Sequence, residues 1–305
     1  MDVGGAVPLV GPVLGVLVDV LDPVLPMVMV VEEAEPAKLL DGDEREQDEQ
    51  DRDGDALETA AFRHGGTQRR GRPYERDSPE LRVSPLPSSF FARPTLQVAR
   101  DLLGAYLVYE SPDDGRMVGR IVETEGYRAD DPAMHGWKAT FGDDGRVRPE
   151  GRAADLFAAP GTAYVYKVYY THWLLNVVTE PEGEAGAVLI RAVEPVEGEE
   201  AMAANRPASV RRRRDLTNGP GKLTQAFGIN EPPEATTSRF HGTDLTAPPL
   251  YMAEGGPVSD DRVEITSRIG LSRGIDLDYR FVVAGHPFVS PGEPSDVRRA
   301  RKTGG

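Results

Sequence analysis

Residues 119–127, with the sequence Gly-Arg-Ile-Val-Glu-Thr-Glu-Gly-Tyr, alternate between apolar and polar side chains. This alternation is typical of a β-strand, in which side chains two residues apart share a face. Glu123, Glu125 and Tyr127 are therefore predicted to line one face. The segment thus predicts a strand that places two carboxylates beside an aromatic ring.

Further strand patterns lie close to this one in sequence, and they outnumber the helices. A helix is expected to begin at Pro94, continue through Leu96, Val98 and Leu102, and end at Gly104. Strands are predicted over 105–110, 117–125, 162–169, 173–179, 186–193, 262–268 and 280–284, helices over 195–206 and 222–227, and a mobile loop over 139–153. The pattern predicts an α+β fold: a single compact domain on a mostly antiparallel, curved β-sheet with short flanking helices.

The acidity of the chain belongs to its N-terminal part. The net charge is −15, yet residues 1–60 contain 16 Asp and Glu against 3 Lys and Arg. The following residues, up to 85, are rich in Arg, Pro and Ser. Both compositions favour disorder. We therefore predict a disordered extension over 1–85, a folded domain over 86–292 and a flexible tail over 293–305.

Composition also limits the cofactors and the compartment. The chain contains no cysteine, which excludes disulfides, iron–sulfur clusters and thiolate zinc sites. Residues 6–31 are apolar, but they contain four prolines and two aspartates and are not preceded by a basic segment. A secretion signal or a membrane span is therefore disfavoured. We expect a cytoplasmic protein without metal or cofactor.

A second cluster of side chains suggests a ligand pocket. Residues 164–173 contain five aromatic residues and His172, and His135 follows Tyr127 by eight positions. An acid, an imidazole and flat rings together indicate a pocket that holds a planar ligand and hydrolyses a bond attached to it.

Four sequence blocks, in order, resemble the 3-methyladenine DNA glycosylase family of the alkyladenine DNA glycosylase type. They are residues 120–127 with His135, 161–176, 188–195 and 219–229, and the resemblance runs from about Phe90 to about Ser290. It implies a base-excision-repair enzyme without metal that flips an alkylated or otherwise modified purine out of double-stranded DNA. Hydrolysis of the N-glycosidic bond then leaves an abasic site.

The resemblance also implies a role for individual residues. It makes Glu125 the carboxylate that activates water, with Arg191 beside it, and gives the modified base a slot between Tyr127, His135 and Tyr166. The remaining implied roles are a pocket-wall residue that screens purines, which is Asn176, and an intercalating wedge, which is Tyr169. Independently of the resemblance, Tyr170 beside the wedge and Lys222 at a helix start that favours a phosphate are predicted to contact the DNA backbone. A lysine that could act as a lyase nucleophile is not paired with Glu125 in any motif, so the glycosylase is expected to be monofunctional and is predicted to act as a nucleoid-associated monomer.

Some alternatives stay open at the level of sequence. Arg191 could pair with Glu123 or Glu194 instead of serving the reaction, and the chain could be a non-catalytic lesion-binding module or a carbohydrate hydrolase that uses Glu123 and Glu125. The chain departs from the family pattern at two places. Tyr170 replaces a usual glycine and could alter the hairpin tip or add a second probing ring, and Arg152-Ala153 replaces a usual Arg-Asn pair, which bears on the lesion range.

Overall fold

A computed structural model describes the part of the chain that follows the acidic segment. It covers residues 81–135, 140–141, 147–148, 151–168 and 171–303. The predicted extension before residue 81, the predicted wedge Tyr169 and its neighbour Tyr170 lie outside these ranges. Much of the predicted loop over 139–153 lies outside them as well.

The described ranges contain ten strands and five α-helices. The strands are β1 (Tyr106–Ser111), β2 (Gly115–Arg128), β3 (Thr140–Phe141), β4 (Val147–Arg148), β5 (Ala163–Val168), β6 (His172–Val178), β7 (Gly186–Glu197), β8 (Leu250–Ala253), β9 (Val263–Thr266) and β10 (Arg280–Val283). The helices are α1 (Ser88–Phe91), α2 (Thr95–Asp101), α3 (Glu199–Ala204), α4 (Pro220–Ala226) and α5 (Ser295–Thr303). Short 3-10 helices occupy Gly151–Phe157, Arg213–Leu216 and Asp260–Arg262.

An eight-stranded curled sheet forms the centre of the domain. Its strands follow the order β5-β6-β7-β2-β1-β8, while β10 pairs with β2 and with β9. Every pairing in it is antiparallel. Together with the few short helices, this sheet confirms the predicted α+β class.

Strand β2 is the long central element, and it changes partner along one edge. Its first part pairs with β1 up to Arg120, and residues 123–125 pair with β10. The register against β7 shifts on both sides of Glu123, as happens at β-bulges, which bend a strand and re-aim its side chains. These irregularities place Glu123 where side chains of β2, β7 and β10 meet.

The two faces of β2 are both covered. Thr124 donates a hydrogen bond to the carbonyl oxygen of Ala99 in α2, over 2.7 Å, so this face packs against the helix. Alternation then directs Glu123 and Glu125 to the opposite face. Both glutamates are fully buried, so β2 places two carboxylates in the interior of the domain.

The structure describes short segments at both ends of the predicted domain. Residues 81–85, assigned to the disordered extension, contact the domain: Leu81 and Val83 pack against an apolar cluster that includes Val108. Residues 295–303, assigned to the flexible tail, form helix α5. Its first residue is fixed to the domain, because the backbone N–H of Ser295 donates to the carbonyl oxygen of Arg268 over 2.9 Å. Strand β8 was not predicted.

The helices of the described part are short. The longest, α5, has nine residues and is polar. None within these ranges combines the length and the hydropathy that crossing a bilayer requires.

Candidate active site

Glu125 lies near the end of β2 and accepts hydrogen bonds from two sides. The Tyr127 hydroxyl donates to Oε2 over 2.9 Å, and the backbone N–H of Ile269 donates to Oε1 over 2.8 Å. The Arg191 guanidinium adds an ion pair, with Nη1 3.2 Å from Oε2. The carboxylate is therefore held in one orientation by three groups from three parts of the chain.

Tyr127 is the donor in its pair with Glu125. Burial of the phenol and the neighbouring charge of Glu125 raise the pKa of Tyr127 well above its ordinary value. The hydroxyl is consequently protonated at neutral pH and donates to the carboxylate.

Arg191, on β7, joins the two glutamates of β2. Its Nε donates to Glu123 over 2.7 Å, while Nη1 faces Glu125. Burial opposes the charge of Arg191, but Glu125 and Glu123 together raise its pKa above the ordinary value. Of the pairings left open by sequence, the structure has the one with Glu123, and it adds Glu125.

The Glu123 carboxylate accepts four hydrogen bonds. Besides Arg191, it accepts hydrogen bonds from Arg280 Nε over 2.8 Å, from the Ser290 backbone N–H over 2.6 Å and from the Ser290 hydroxyl over 2.8 Å. Burial alone would raise its pKa, but the charges of Arg191 and Arg280 outweigh burial and the pKa is lowered. Glu123 is thus held ionised and has no proton to donate, which is contrary to a role as general acid in a carbohydrate hydrolase.

An open pocket lies beside this charged cluster. It measures about 280 Å³, part of it continuous with solvent, and is lined by Tyr127, Ala133, Met134, His135, Leu156, Tyr164, Tyr166, Asn176 and Ala187. The structure therefore brings together the four residues predicted for base binding. Glu125 is not among the residues that line the pocket, and the hydrogen bond from Tyr127 connects it to the pocket wall.

The imidazole of His135 is fixed by two aromatic side chains. Its Nδ1 lies 2.7 Å from the Tyr164 hydroxyl, and its ring centre lies 4.7 Å from that of Tyr166, at 69°. Asn176, almost fully buried, donates from Nδ2 to the carbonyl oxygen of Tyr164 over 3.1 Å. The same strand, β5, thus supports both an imidazole and a pocket-wall amide.

Lys222 lies apart from the pocket. Its ammonium donates to Asn218 Oδ1 over 2.7 Å and lies 4.0 Å from Asp215. Burial lowers the pKa of Lys222, although Asp215 opposes that shift. The structure does not bring Lys222 together with the residues that line the pocket.

Several groups of the site were missed at the sequence level. Arg280, Ser290 and the Ile269 backbone N–H come from the last forty residues and reach the glutamates of β2. A fully buried ion pair between Arg268 and Asp131 lies next to Tyr127. Local sequence patterns do not predict these contacts, because the partners are more than 130 residues apart in sequence. The one local signal is at Arg268, a charged residue at the end of a predicted strand. Within the described ranges, three or more His, Asp or Glu side chains are nowhere grouped to hold a metal ion.

Comparison with known proteins gives one family. The model of the methylpurine-DNA glycosylase family matches residues 89–287. The chain belongs to this family. The match spans all residues predicted for the site, from Glu125 to Lys222, and it stops short of α5.

Three relatives each match 67–70% of this chain. A protein of Salinibacter ruber is 58% identical over 214 residues, which are 70% of this chain and 100% of that protein. A protein of Chlorobium phaeovibrioides is 41% identical over 69% of this chain and 98% of its own length, and one of Carboxydothermus hydrogenoformans is 41% identical over 67% and 98%. All three carry the name "Putative 3-methyladenine DNA glycosylase".

Proposed function

We propose that this chain is a base-excision-repair DNA glycosylase. It extrudes an alkylated or otherwise modified purine from duplex DNA and hydrolyses the N-glycosidic bond, leaving an abasic site. The observation that carries the proposal is the contact between Glu125 and Tyr127, because it joins a buried carboxylate to the wall of an aromatic pocket. Family membership and the names of the relatives support the same reaction.

The pocket suits a flat, extruded base. Tyr127, His135 and Tyr166 offer aromatic surfaces, and stacking of a base on an aromatic side chain contributes about 1–3 kcal/mol. Asn176 supplies a polar side chain in the pocket wall, which can discriminate between purines by the groups on their edges. An extruded base is held by this combination of stacking and edge contacts.

Hydrolysis then requires one water and one carboxylate. Water attacks C1′ while the bond to the base nitrogen breaks, and the electron pair leaves with the purine. Glu125 accepts the proton of the water and its charge stabilises the oxocarbenium-like transition state. Arg191 holds Glu125 in orientation through their ion pair. A base alkylated on a ring nitrogen is already cationic and leaves as a neutral molecule.

Access of water to Glu125 requires one rearrangement. Tyr127, the Ile269 N–H and Arg191 all contact the carboxylate directly. Of these three, only Tyr127 also lines the pocket. We expect the hydrogen bond from Tyr127 to be exchanged for one from water when a nucleotide enters. The Ile269 N–H and Arg191 then keep the carboxylate in place.

The same site argues for a monofunctional enzyme. A lyase needs an amine that attacks C1′. Lys167 donates to the backbone carbonyl oxygens of Pro233 and Ala235, and Lys222 donates to Asn218, while Lys138 lies outside the described residues. We propose water as the nucleophile, double-stranded DNA with damaged purines as the partner, and a monomer acting at the nucleoid in the cytoplasm.

A non-catalytic lesion-binding module is the second candidate. The observation that favours it is the complete burial of Glu125. Under this alternative the pocket captures a modified base, and the carboxylate serves only to fix Tyr127.

One assay separates the two candidates. Duplex oligonucleotides that each carry one modified purine are incubated with the full chain, and half of each sample is then treated with alkali. A monofunctional glycosylase gives strand breaks only after alkali. Binding without any alkali-labile sites, across alkylated and deaminated purines, would support the non-catalytic module instead.

A further inference from the structure

Arg268 and Asp131 form a buried ion pair next to the Tyr127 ring. Both side chains are fully buried. Arg268 Nη2 donates to Asp131 Oδ1 over 2.9 Å, and Nη1 donates to Oδ2. The guanidinium carbon lies over the Tyr127 ring, 4.5 Å from its centre, and 5.3 Å from the ring centre of Tyr279.

The pair is connected to the segments that carry Glu125, Tyr127 and His135. Arg268 Nη1 donates to the carbonyl oxygen of Gly126 over 3.0 Å, between Glu125 and Tyr127 in sequence. Asp131 Oδ1 accepts from the Ala133 backbone N–H over 2.9 Å, which fixes the turn before His135.

The next residue after Arg268 completes these connections. The backbone N–H of Ile269 donates to Glu125. One ion pair thereby links the carboxylate, the ring and the turn that leads to the imidazole.

The surroundings leave the pair little freedom. Gly274 passes so close that a Cβ there would lie 2.8 Å from Asp131 Oδ1 and 3.1 Å from Arg268 Nη2. The backbone of Arg268 is held as well, because its carbonyl oxygen accepts from Ser295 at the start of α5. A shift of the guanidinium would therefore move the backbone around it.

We propose that Arg268, held by Asp131, is a positioning residue that sets the Tyr127 ring and the His135 turn relative to Glu125. The proposal rests on the proposed function. An aromatic ring has two faces. Arg268 covers one face of Tyr127, which leaves the other for the extruded base. Reacting groups misplaced by about 1 Å can lose on the order of a hundredfold in rate, so the position of this ring matters to hydrolysis even though Arg268 does not touch the substrate.

Two conservative variants test the proposal. Arg268→Lys keeps the positive charge but lacks the planar group that spans Asp131 and Gly126 and covers the ring. Asp131→Asn keeps the shape of the side chain and loses its charge. The matched control is Arg116→Lys, because Arg116 lies on β2, the strand that carries Tyr127, and pairs with Glu197 over 2.5 Å at the end of that strand away from the pocket.

The measurement is single-turnover excision with the full chain in excess over a duplex that carries one modified purine. The enzyme concentration is varied to give a maximal rate constant and a half-saturating concentration. Misfolded protein lowers the amount of active enzyme and therefore raises the half-saturating concentration, while the maximal rate constant stays that of the folded molecules. A positioning defect lowers the maximal rate constant itself.

We expect both variants to lower the maximal rate constant at least tenfold, while their half-saturating concentrations stay within threefold of wild type. For the control Arg116→Lys, we expect both the maximal rate constant and the half-saturating concentration to stay within twofold of wild type. A maximal rate constant within threefold of wild type for both variants overturns the proposal, while wild-type excision leaves the proposed function standing. Absence of a cooperative melting transition in both variants overturns it too, because the pair then serves folding. Absence of wild-type excision on every modified purine refutes the proposed function instead.

Discussion

Replacing Glu123 by Gln perturbs the charged centre of the domain without changing its shape. The Glu123 carboxylate is fully buried and accepts four hydrogen bonds, two of them from the guanidinium groups of Arg191 and Arg280. Glu123→Gln leaves these two cations facing a neutral amide. Removing one partner of a buried ion pair costs about 3–5 kcal/mol, which for a domain of this size lowers the melting temperature by roughly 6–20 °C.

The assay is thermal and urea unfolding followed by circular dichroism. The matched control is Glu199→Gln, since Glu199 pairs with Arg213 at a partly exposed site, where an ion pair contributes roughly 0–1 kcal/mol. A loss below about 1 kcal/mol for Glu123→Gln would refute the reasoning that this carboxylate neutralises a buried cationic pair.

The difference in unfolding free energy between wild type and Glu123→Gln depends on pH because the pKa of Glu123 is lowered. Its ordinary value is 4.5. Stability contributed by a carboxyl with a lowered pKa is present above the unfolded value and is lost as the pH falls through the folded value. The gap in unfolding free energy between wild type and Glu123→Gln is therefore expected to be constant near neutral pH and to shrink below pH 4.5. A gap that widens on acidification contradicts the assignment.

Two further predictions concern DNA. Tyr169→Ser combined with Tyr170→Gly is expected to reduce excision from duplex DNA much more than from single-stranded DNA, whereas Tyr166→Ser reduces both, because a wedge is needed only where stacking has to be broken; equal losses on the two substrates for the double variant would place those rings elsewhere. Removal of residues 1–80, which carry 19 Asp and Glu against 8 Lys and Arg, is expected to preserve cooperative melting and excision, and to tighten DNA binding at low salt because about eleven net negative charges no longer repel phosphate; loss of the melting transition contradicts this.

Local sequence patterns were sufficient for much of the sheet and for helix α2. Pro94 precedes the first residue of α2, and the backbone of Gly104 has the positive φ of 88° that favours glycine at a helix end. The hairpin of β5 and β6 and the long strand β2 were predicted because their alternation or apolar character is strong over several residues.

Elements secured by distant contacts were missed. Strand β8 is four residues long, buried throughout and preceded by two prolines, and it pairs with β1, more than 130 residues earlier. Helix α5 has a polar sequence with four cations, and contacts of Ser295 and Asp296 with residues 267–271 fix its start. Such contacts have no period that a local pattern could reveal.

The candidate site divides in the same way. The alternation in β2 placed Glu123, Glu125 and Tyr127 on one face, and the density of aromatic residues pointed to the pocket. Sequence could not show that Arg191 contacts both glutamates, because that geometry depends on the bulges that flank Glu123 in the pairing of β2 with β7.

The central claim is that Glu125 activates the water that releases the base. The direct test is single-turnover excision by Glu125→Gln on duplex DNA that carries a modified purine, with Glu110→Gln on the neighbouring strand β1 as the matched control. The amide keeps the shape of Glu125 but cannot accept the proton, so we expect the rate constant to fall by about 10²–10⁴ while binding to lesion-containing DNA is retained and the control stays near wild type. A rate constant for Glu125→Gln within threefold of wild type would contradict the account.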